Sequence, residues 1–283
     1  MDLKFTKMQA YGNDYVYIDA VSQTVEDPSA LAKAVSNRHF GIGSDGLVLI
    51  CPSDRGAFRM RMFNPDGTEG EMCGNALRSL SKFVYHYGMT DKTEFFIETM
   101  GGMQHVWLHV ENGEVTNITA DIGAPRLNAA EIPVATEKNR FVDEKVRILD
   151  KTFSMTALSW GNPHCVVYVD DADLFEVQKY GPAVENDRTL FPNRTNVTFA
   201  EVVSPDYIKI REWERGTGET IGCGTGCCSA VAASVLLGKS GRKVQVEQIG
   251  GILQVEWNEM TGHMLMTGPS HIVFEGIYHG QQD

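Results

Sequence analysis

Short runs that alternate apolar and polar residues, or are apolar throughout, recur along the chain. They predict strands at Lys4–Met8, Tyr15–Asp19, Leu47–Cys51, Phe58–Phe63, Glu94–Glu98 and Gln104–Val110, with a similar set in the second half that includes Tyr207–Arg211. Helical spacing appears at Pro28–Ser36, Ala76–Tyr85, Ala172–Tyr180 and Cys227–Leu237. The helices predicted from Ala76 and Cys227 read as small and apolar almost all round, Ala230-Val231-Ala232-Ala233-Ser234-Val235-Leu236-Leu237 most plainly. A helix of that kind is buried on every side. The simplest way to bury two of them among so many strands is an α+β fold in which a mixed β-sheet or barrel wraps each one.

The two halves repeat each other. Counting back from Cys73 and from Cys223, Phe63 matches Trp213 and Arg61 matches Arg211. Gly12-Asn13 matches Gly161-Asn162 upstream. Downstream, Met100-Gly101-Gly102 matches Ile249-Gly250-Gly251, and Gly123-Ala124-Pro125 matches Gly268-Pro269. Landmarks at nearly constant offset point to an internal duplication with a period far longer than that of a solenoid repeat. The expected division is residues 1–125, carrying Cys73, and 126–269, carrying Cys223. A short apolar strand over 270–279 would return to complete the first half. Ligand sites favour domain interfaces, so the active site is expected in the cleft between the halves.

Net charge narrows the partners. The formal charge is −12, with no arginine-rich run, which disfavours nucleic acid. No apolar stretch reaches membrane length, and Met1-Asp2-Leu3-Lys4 lacks the apolar core of a signal peptide. A cytoplasmic protein is expected, its six cysteines mostly free thiols.

Cys73 and Cys223 hold the candidate chemistry. Each follows a glutamate by four residues and precedes a helical run, so each is expected at a helix N-terminus. Unpaired N–H groups and the helix dipole there favour anions and lower a thiol pKa. Two such thiols suggest a carbon acid held between opposed acid/base groups. The alternative is a thiol redox pair, because low-pKa thiols oxidise readily. Gly41-Ile42-Gly43-Ser44-Asp45-Gly46 fits a dinucleotide-binding pattern, but a helix precedes it and a strand follows, the reverse of what that motif needs. Gly222-Cys223-Gly224-Thr225-Gly226 would cradle a carboxylate or a phosphate, and no P-loop lysine follows it. Cys223, Cys227 and Cys228 lack the spacing of a zinc site, so no metal is expected. His164 is a candidate holder of a thiol proton, and Glu214-Arg215 a candidate for an ammonium and a carboxylate of one substrate.

Taken together, several segments resemble the diaminopimelate epimerase family along nearly the whole length. They are Gly12-Asn13-Asp14-Tyr15, Asn37 to Gly46, Phe63-Asn64-Pro65-Asp66-Gly67, Cys73-Gly74-Asn75, Gly161-Asn162-Pro163-His164-Cys165, Trp213 to Thr220 and Cys223-Gly224-Thr225-Gly226. The resemblance implies a cofactor-independent epimerase that interconverts LL- and meso-diaminopimelate on the route to lysine and peptidoglycan. It also implies two pseudo-symmetric halves and a homodimer. Cys73 and Cys223 would be the acid/base pair, with His164 and Glu214 as proton-relay support. Backbone N–H groups of Gly74-Asn75 and Gly224-Thr225 would hold the α-carboxylate, and Asn13, Asn64, Asn162, Asn196, Glu214 and Arg215 the distal end. Gly46, Ala76, Trp160 and Thr195 depart from the common pattern, which leaves open a related racemase of altered specificity, for example for histidine.

Overall fold

The computed structural model describes residues 2–280 and divides into two compact units. One runs through Asp121 and resumes at Thr267; the other spans Ile122–Met266.

The first unit contains β1 (Leu3–Ala10), β2 (Asn13–Asp19), α1 (Pro28–Ser36), β3 (Leu47–Cys51), β4 (Phe58–Phe63), β5 (Glu69–Gly70), α2 (Gly74–His86), β6 (Glu94–Thr99), β7 (Gly102–Glu111) and β8 (Glu114–Asp121). The second contains β9 (Glu144–Ile148), β10 (Lys151–Ser159), β11 (Pro163–Tyr168), α3 (Val177–Glu185), β12 (Asn196–Ser204), β13 (Tyr207–Glu214), β14 (Gly218–Thr220), α4 (Gly224–Leu236), β15 (Lys243–Gln248) and β16 (Gly251–Trp257). β17 (Met264–Gly268) closes that series, and β18 (His271–Tyr278) pairs antiparallel with β1 in the first unit.

The duplication is visible in the pairing. β2 runs parallel to β3, Val16 opposite Leu47, and β4 runs parallel to β6, Phe58 opposite Ile97. In the second unit β11 runs parallel to β12, His164 opposite Asn196, and β13 runs parallel to β15, Tyr207 opposite Gln245. The hairpin neighbours β1–β2, β3–β4, β4–β5, β6–β7 and β7–β8 are antiparallel, as are β9–β10, β10–β11, β12–β13, β13–β14 and β15–β16. Parallel neighbours need a crossover, and in both units the second one contains the long helix, α2 or α4. Even an ion pair repeats. Arg61 on β4 forks onto Glu69 of β5 with two bonds of 2.8 Å, and Arg211 on β13 pairs with Glu219 of β14.

Each long helix is buried. α4 buries an almost unbroken run from Gly226 to Ser234, as its small apolar residues demand. α2 differs from the sequence expectation. Its buried face includes Arg78, Ser79 and Ser81, so it is enclosed without being apolar. Buried polar groups persist where they are hydrogen-bonded, and here Ser79 meets Ser270 at 2.7 Å and Ser81 bonds back to the Leu77 carbonyl. The helix expected over Ala172–Tyr180 begins later, at Val177, and runs to Glu185. Asp171 accepts from the Leu174 N–H in a local turn, which diverts the backbone before the helix can start. Among the described residues no helix is long and apolar enough to cross a membrane.

Candidate active site

Both cysteines are N-cap residues of 13-residue helices. Cys73 precedes α2 with φ −137° and ψ 122°, and Cys223 precedes α4 with φ −130° and ψ 108°. The extended backbone at the second cap turns a following N–H group onto the sulfur, whereas the Cys73 side chain makes no capping hydrogen bond. Cys223 Sγ accepts from the Gly226 N–H at 3.4 Å and lies 3.5 Å from Thr225 Oγ1. Its own N–H is held by Gln248 Oε1 at 2.9 Å.

In the first unit, Cys73 Sγ donates toward Asn13 Oδ1 at 3.5 Å, and Asn75 Nδ2 reaches the same oxygen at 3.3 Å. Asn13 is itself fixed. Its Nδ2 donates to Asp45 Oδ2 at 2.8 Å, and Asp45 is bonded by Arg38 at 2.9 Å. Arg38 also bonds Asp14, which pairs with buried Lys7. Arg78 is fully buried; its Nη2 donates to Asn75 Oδ1 at 2.5 Å, and its guanidinium stacks over the Tyr11 ring. Asn64 lies in the β4–β5 turn, where its amide donates to Thr68 Oγ1 at 2.9 Å.

In the second unit, Asn196 is committed to backbone at both ends of its amide. It donates to the Pro163 carbonyl at 3.0 Å and accepts from the Arg215 N–H at 2.8 Å. It therefore positions the loop holding Arg215, whose side chain is exposed and donates to the Asn193 carbonyl at 3.1 Å. Glu214 accepts from Thr220 Oγ1 at 2.7 Å, and Asn162 is half-buried in the turn before β11. His164 is fully buried, and neither ring nitrogen has a hydrogen-bond partner among the described residues.

The ionisation of the thiols departs from the sequence expectation. Helix N-termini do act on both. The N–H groups of Ala76 and Asn75 pull the Cys73 pKa down, and that of Gly226 does so for Cys223. Burial is the larger effect, and it leaves both thiols above the ordinary range, Cys223 well above it. His164 is a correction of another kind. Burial, helped by the nearby Arg215 charge, pushes its pKa down to about 3. A histidine held neutral so firmly is a poor store for a thiol's proton.

Four residues near the sulfurs were given no role from the sequence: Tyr15, Arg78, Glu212 and Gln248. Tyr15 donates toward Cys73. Glu212 is the most unexpected. It sits 2% exposed on β13, on the inward row of Ile208 and Ile210, with Thr198 Oγ1 donating to its Oε2 at 2.7 Å. Strand alternation would have flagged it, since extending the predicted strand past Arg211 puts a carboxylate where the pattern calls for an apolar side chain. Gly46 also gains an explanation. A Cβ there would fall 2.8 Å from the Tyr15 ring and closer still to the Phe63 carbonyl, so this backbone admits no side chain at that position.

A duplicated unit of mixed sheet around a helix defines an α+β class that solved structures share. A phenazine biosynthesis protein of the PhzF family from Bacillus anthracis superposes with a TM-score of 0.72 at 18% identity, covering 98% of this chain and 99% of that one. The model of the diaminopimelate epimerase family matches residues 5–128 and 156–273, one match in each half. The diaminopimelate epimerase of Methanococcus maripaludis is 51% identical over 97% of this chain and 99% of its own. That of Acetivibrio thermocellus is 50% identical over 97% and 98%. The chain belongs to the diaminopimelate epimerase family, and is thus an isomerase.

Proposed function

We propose that this protein interconverts LL- and meso-diaminopimelate without a cofactor, Cys73 and Cys223 acting on opposite faces of one α-carbon. The observation that supports this most is the repetition of one device: a cysteine at the N-cap of a long buried helix, once per unit. The α-proton of an amino acid is very weakly acidic. With no electron sink, the developing carbanion must be stabilised by fixed dipoles. Backbone N–H groups at Gly74-Asn75 and Gly224-Thr225 supply them to the α-carboxylate, where charge gathers in the transition state. One cysteine, as thiolate, removes the proton; the other, as thiol, delivers one, and the centre inverts.

Arg215 pairs with the distal carboxylate and Glu214 with the distal ammonium in this reading, and Asn13, Asn64, Asn162 and Asn196 frame the substrate. The same reading places the enzyme in lysine and peptidoglycan precursor synthesis, as a cytoplasmic homodimer without nucleic-acid or membrane partners. The net charge of −12 and the six cysteines, none of which forms a disulfide among the described residues, fit that setting.

The test is deuterium uptake at the α-carbons of LL-diaminopimelate in D2O with a reductant, followed by NMR beside a histidine control. Uptake at one centre with meso product, and none from histidine, is the expected outcome. Uptake from histidine alone would reassign Glu214 and Arg215, and no uptake from either would remove the carbon-acid reading.

A further inference from the structure

Glu185 is the last residue of α3, and only 4% of it is exposed. Donors meet both oxygens of its carboxylate. Oε1 accepts from Arg194 Nη1 and from the Gly216 N–H, each at 2.8 Å, and Oε2 accepts from Trp213 Nε1 at 2.8 Å. A buried carboxylate is destabilising unless it is paired and hydrogen-bonded, and here it is both. Two of the three donors lie on the segment Trp213-Glu214-Arg215-Gly216. A further hold on that segment comes from β12, where Asn196 Oδ1 accepts from the Arg215 N–H at 2.8 Å. Gly181 on α3 lies against the indole, and a Cβ there would fall 2.6 Å from Trp213 Cδ2. The segment that carries Glu214 and Arg215 is therefore fixed at positions 213, 215 and 216.

The first unit builds the equivalent segment without this anchor. Phe63 stands there in place of Trp213, and α1 ends in Ser36 where α3 ends in Glu185. A phenyl ring has no N–H to donate, and Ser36 Oγ accepts from Ser44 Oγ at 3.2 Å. Since the first copy folds without a carboxylate at this place, the fold alone does not call for one. What the second segment has and the first lacks is an adjacent acid and base, Glu214-Arg215, where the first has Asn64-Pro65. We propose that Glu185 is a positioning residue for substrate recognition, holding the backbone of 213–216 so that Glu214 and Arg215 meet the distal ammonium and carboxylate. This rests on the reading of those two side chains as the distal contacts. Glu185 acts through the loop and does not touch the substrate. A loop ordered in advance leaves less conformational freedom to be lost when the substrate binds. Loss of the anchor should therefore weaken ground-state and transition-state binding alike, which raises KM and leaves kcat nearly unchanged.

The test is the steady-state kinetics of LL-diaminopimelate epimerisation by the parent, Glu185→Gln, Arg215→Met and the double variant. Glutamine matches glutamate in size, but its amide nitrogen sets a donor against the donors around it. Glu185→Gln should raise KM about tenfold or more, as expected for losing a charge-assisted hydrogen bond, with kcat within about threefold. Because Glu185 acts through the loop that carries Arg215, the double variant should lose less than the two single losses combined. General loosening of the fold would make the two losses add. Additive losses, an unchanged KM in Glu185→Gln, or a fall in kcat at constant KM overturns the proposal. If Glu185→Gln fails to fold, Trp213→Phe keeps the carboxylate and its other two donors and installs the residue of the first unit. It should raise KM about threefold or more, and an unchanged KM overturns the proposal. An unchanged KM in Arg215→Met would overturn the distal-contact reading, and the proposal with it. A raised KM in Arg215→Met beside an unchanged one in Glu185→Gln or Trp213→Phe would overturn the proposal alone.

Discussion

The two units use the same backbone device and surround it with opposite charge. Around Cys73, hydrogen-bond donors from Tyr15, Asn75 and Ala76 and the buried Arg78 guanidinium all favour the thiolate against burial. Around Cys223, the carboxylates of Glu214 and Glu212 add to burial and favour the thiol. The repeat makes the exchange traceable position by position. Tyr15 corresponds to His164, Met62 to Glu212, Ala76 to Gly226 and Arg78 to Cys228. Duplication preserved what sets geometry, namely the cap, the parallel crossover and the Arg61–Glu69 or Arg211–Glu219 pair. It did not preserve what sets proton affinity. The two sulfurs therefore sit in chemically distinct surroundings.

The largest effect should come from the thiols themselves. Cys73→Ser and Cys223→Ser should each lose on the order of 10²–10⁴-fold or more in kcat, the usual contribution of a positioned acid or base. Deuterium wash-in at the substrate α-carbon measures both. One variant remaining within tenfold of the parent would show that the two copies are not functionally paired.

Next in size is a pH effect confined to the second unit. His164 has its pKa lowered to about 3 by burial. Unfolded, it protonates below its ordinary value of about 6.5, so the folded state loses stability as pH falls through that window. The loss is up to about 1.4 kcal/mol per pH unit. Glu212 has the opposite sign. Its folded pKa is raised, so the unfolded chain ionises first and stability falls as pH rises above about 4.5 toward the folded value. Melting curves of His164→Leu and Glu212→Gln against pH should separate the two. The first should gain on the parent as pH falls below about 6.5, and the second as pH rises above about 4.5. Flat differences would mean that both groups titrate as they do in water.

The sequence made the geometric half of this comparison legible and hid the electrostatic half. Alternation and helical spacing located β3, β4 and α1 to the residue, because each is a short local pattern with sharp edges. Cys73 and Cys223 stood out because they recur with their flanking glycines. Arg78 and Glu212 did not, since a charged residue is normally assigned to the surface and only tertiary packing reveals that these two are enclosed. The thiol pKa values were misjudged for the same reason. A helix N-terminus is visible in sequence, whereas the depth of burial that outweighs it is not.

Replacing Arg78 should sharpen the contrast from the other side. Arg78→Met removes a buried cation and leaves Asn75 Oδ1 without its donor, a loss of about 1.5–3 kcal/mol for a hydrogen bond to a charged group. Alkylation of Cys73 at pH 8 should slow, while that of Cys223 should be unchanged. Equal slowing at both sulfurs would point to general loosening of the fold and not to a local charge.

The smallest effect is the most specific. Met62 and Ala76 in the first unit occupy the positions of Glu212 and Gly226 in the second. Ala76 is fully buried, whereas at Gly226 the Glu212 carboxylate occupies the space that a Cβ would take. Gly226→Ala should therefore destabilise by about 1–3 kcal/mol through overpacking. The double variant Glu212→Met with Gly226→Ala transplants the first unit's pair into the second. It should recover most of that loss, with a coupling of about 0.5–3 kcal/mol in a double-mutant cycle by urea unfolding. Additive behaviour would mean that glycine is required at 226 by the helix and not by the carboxylate.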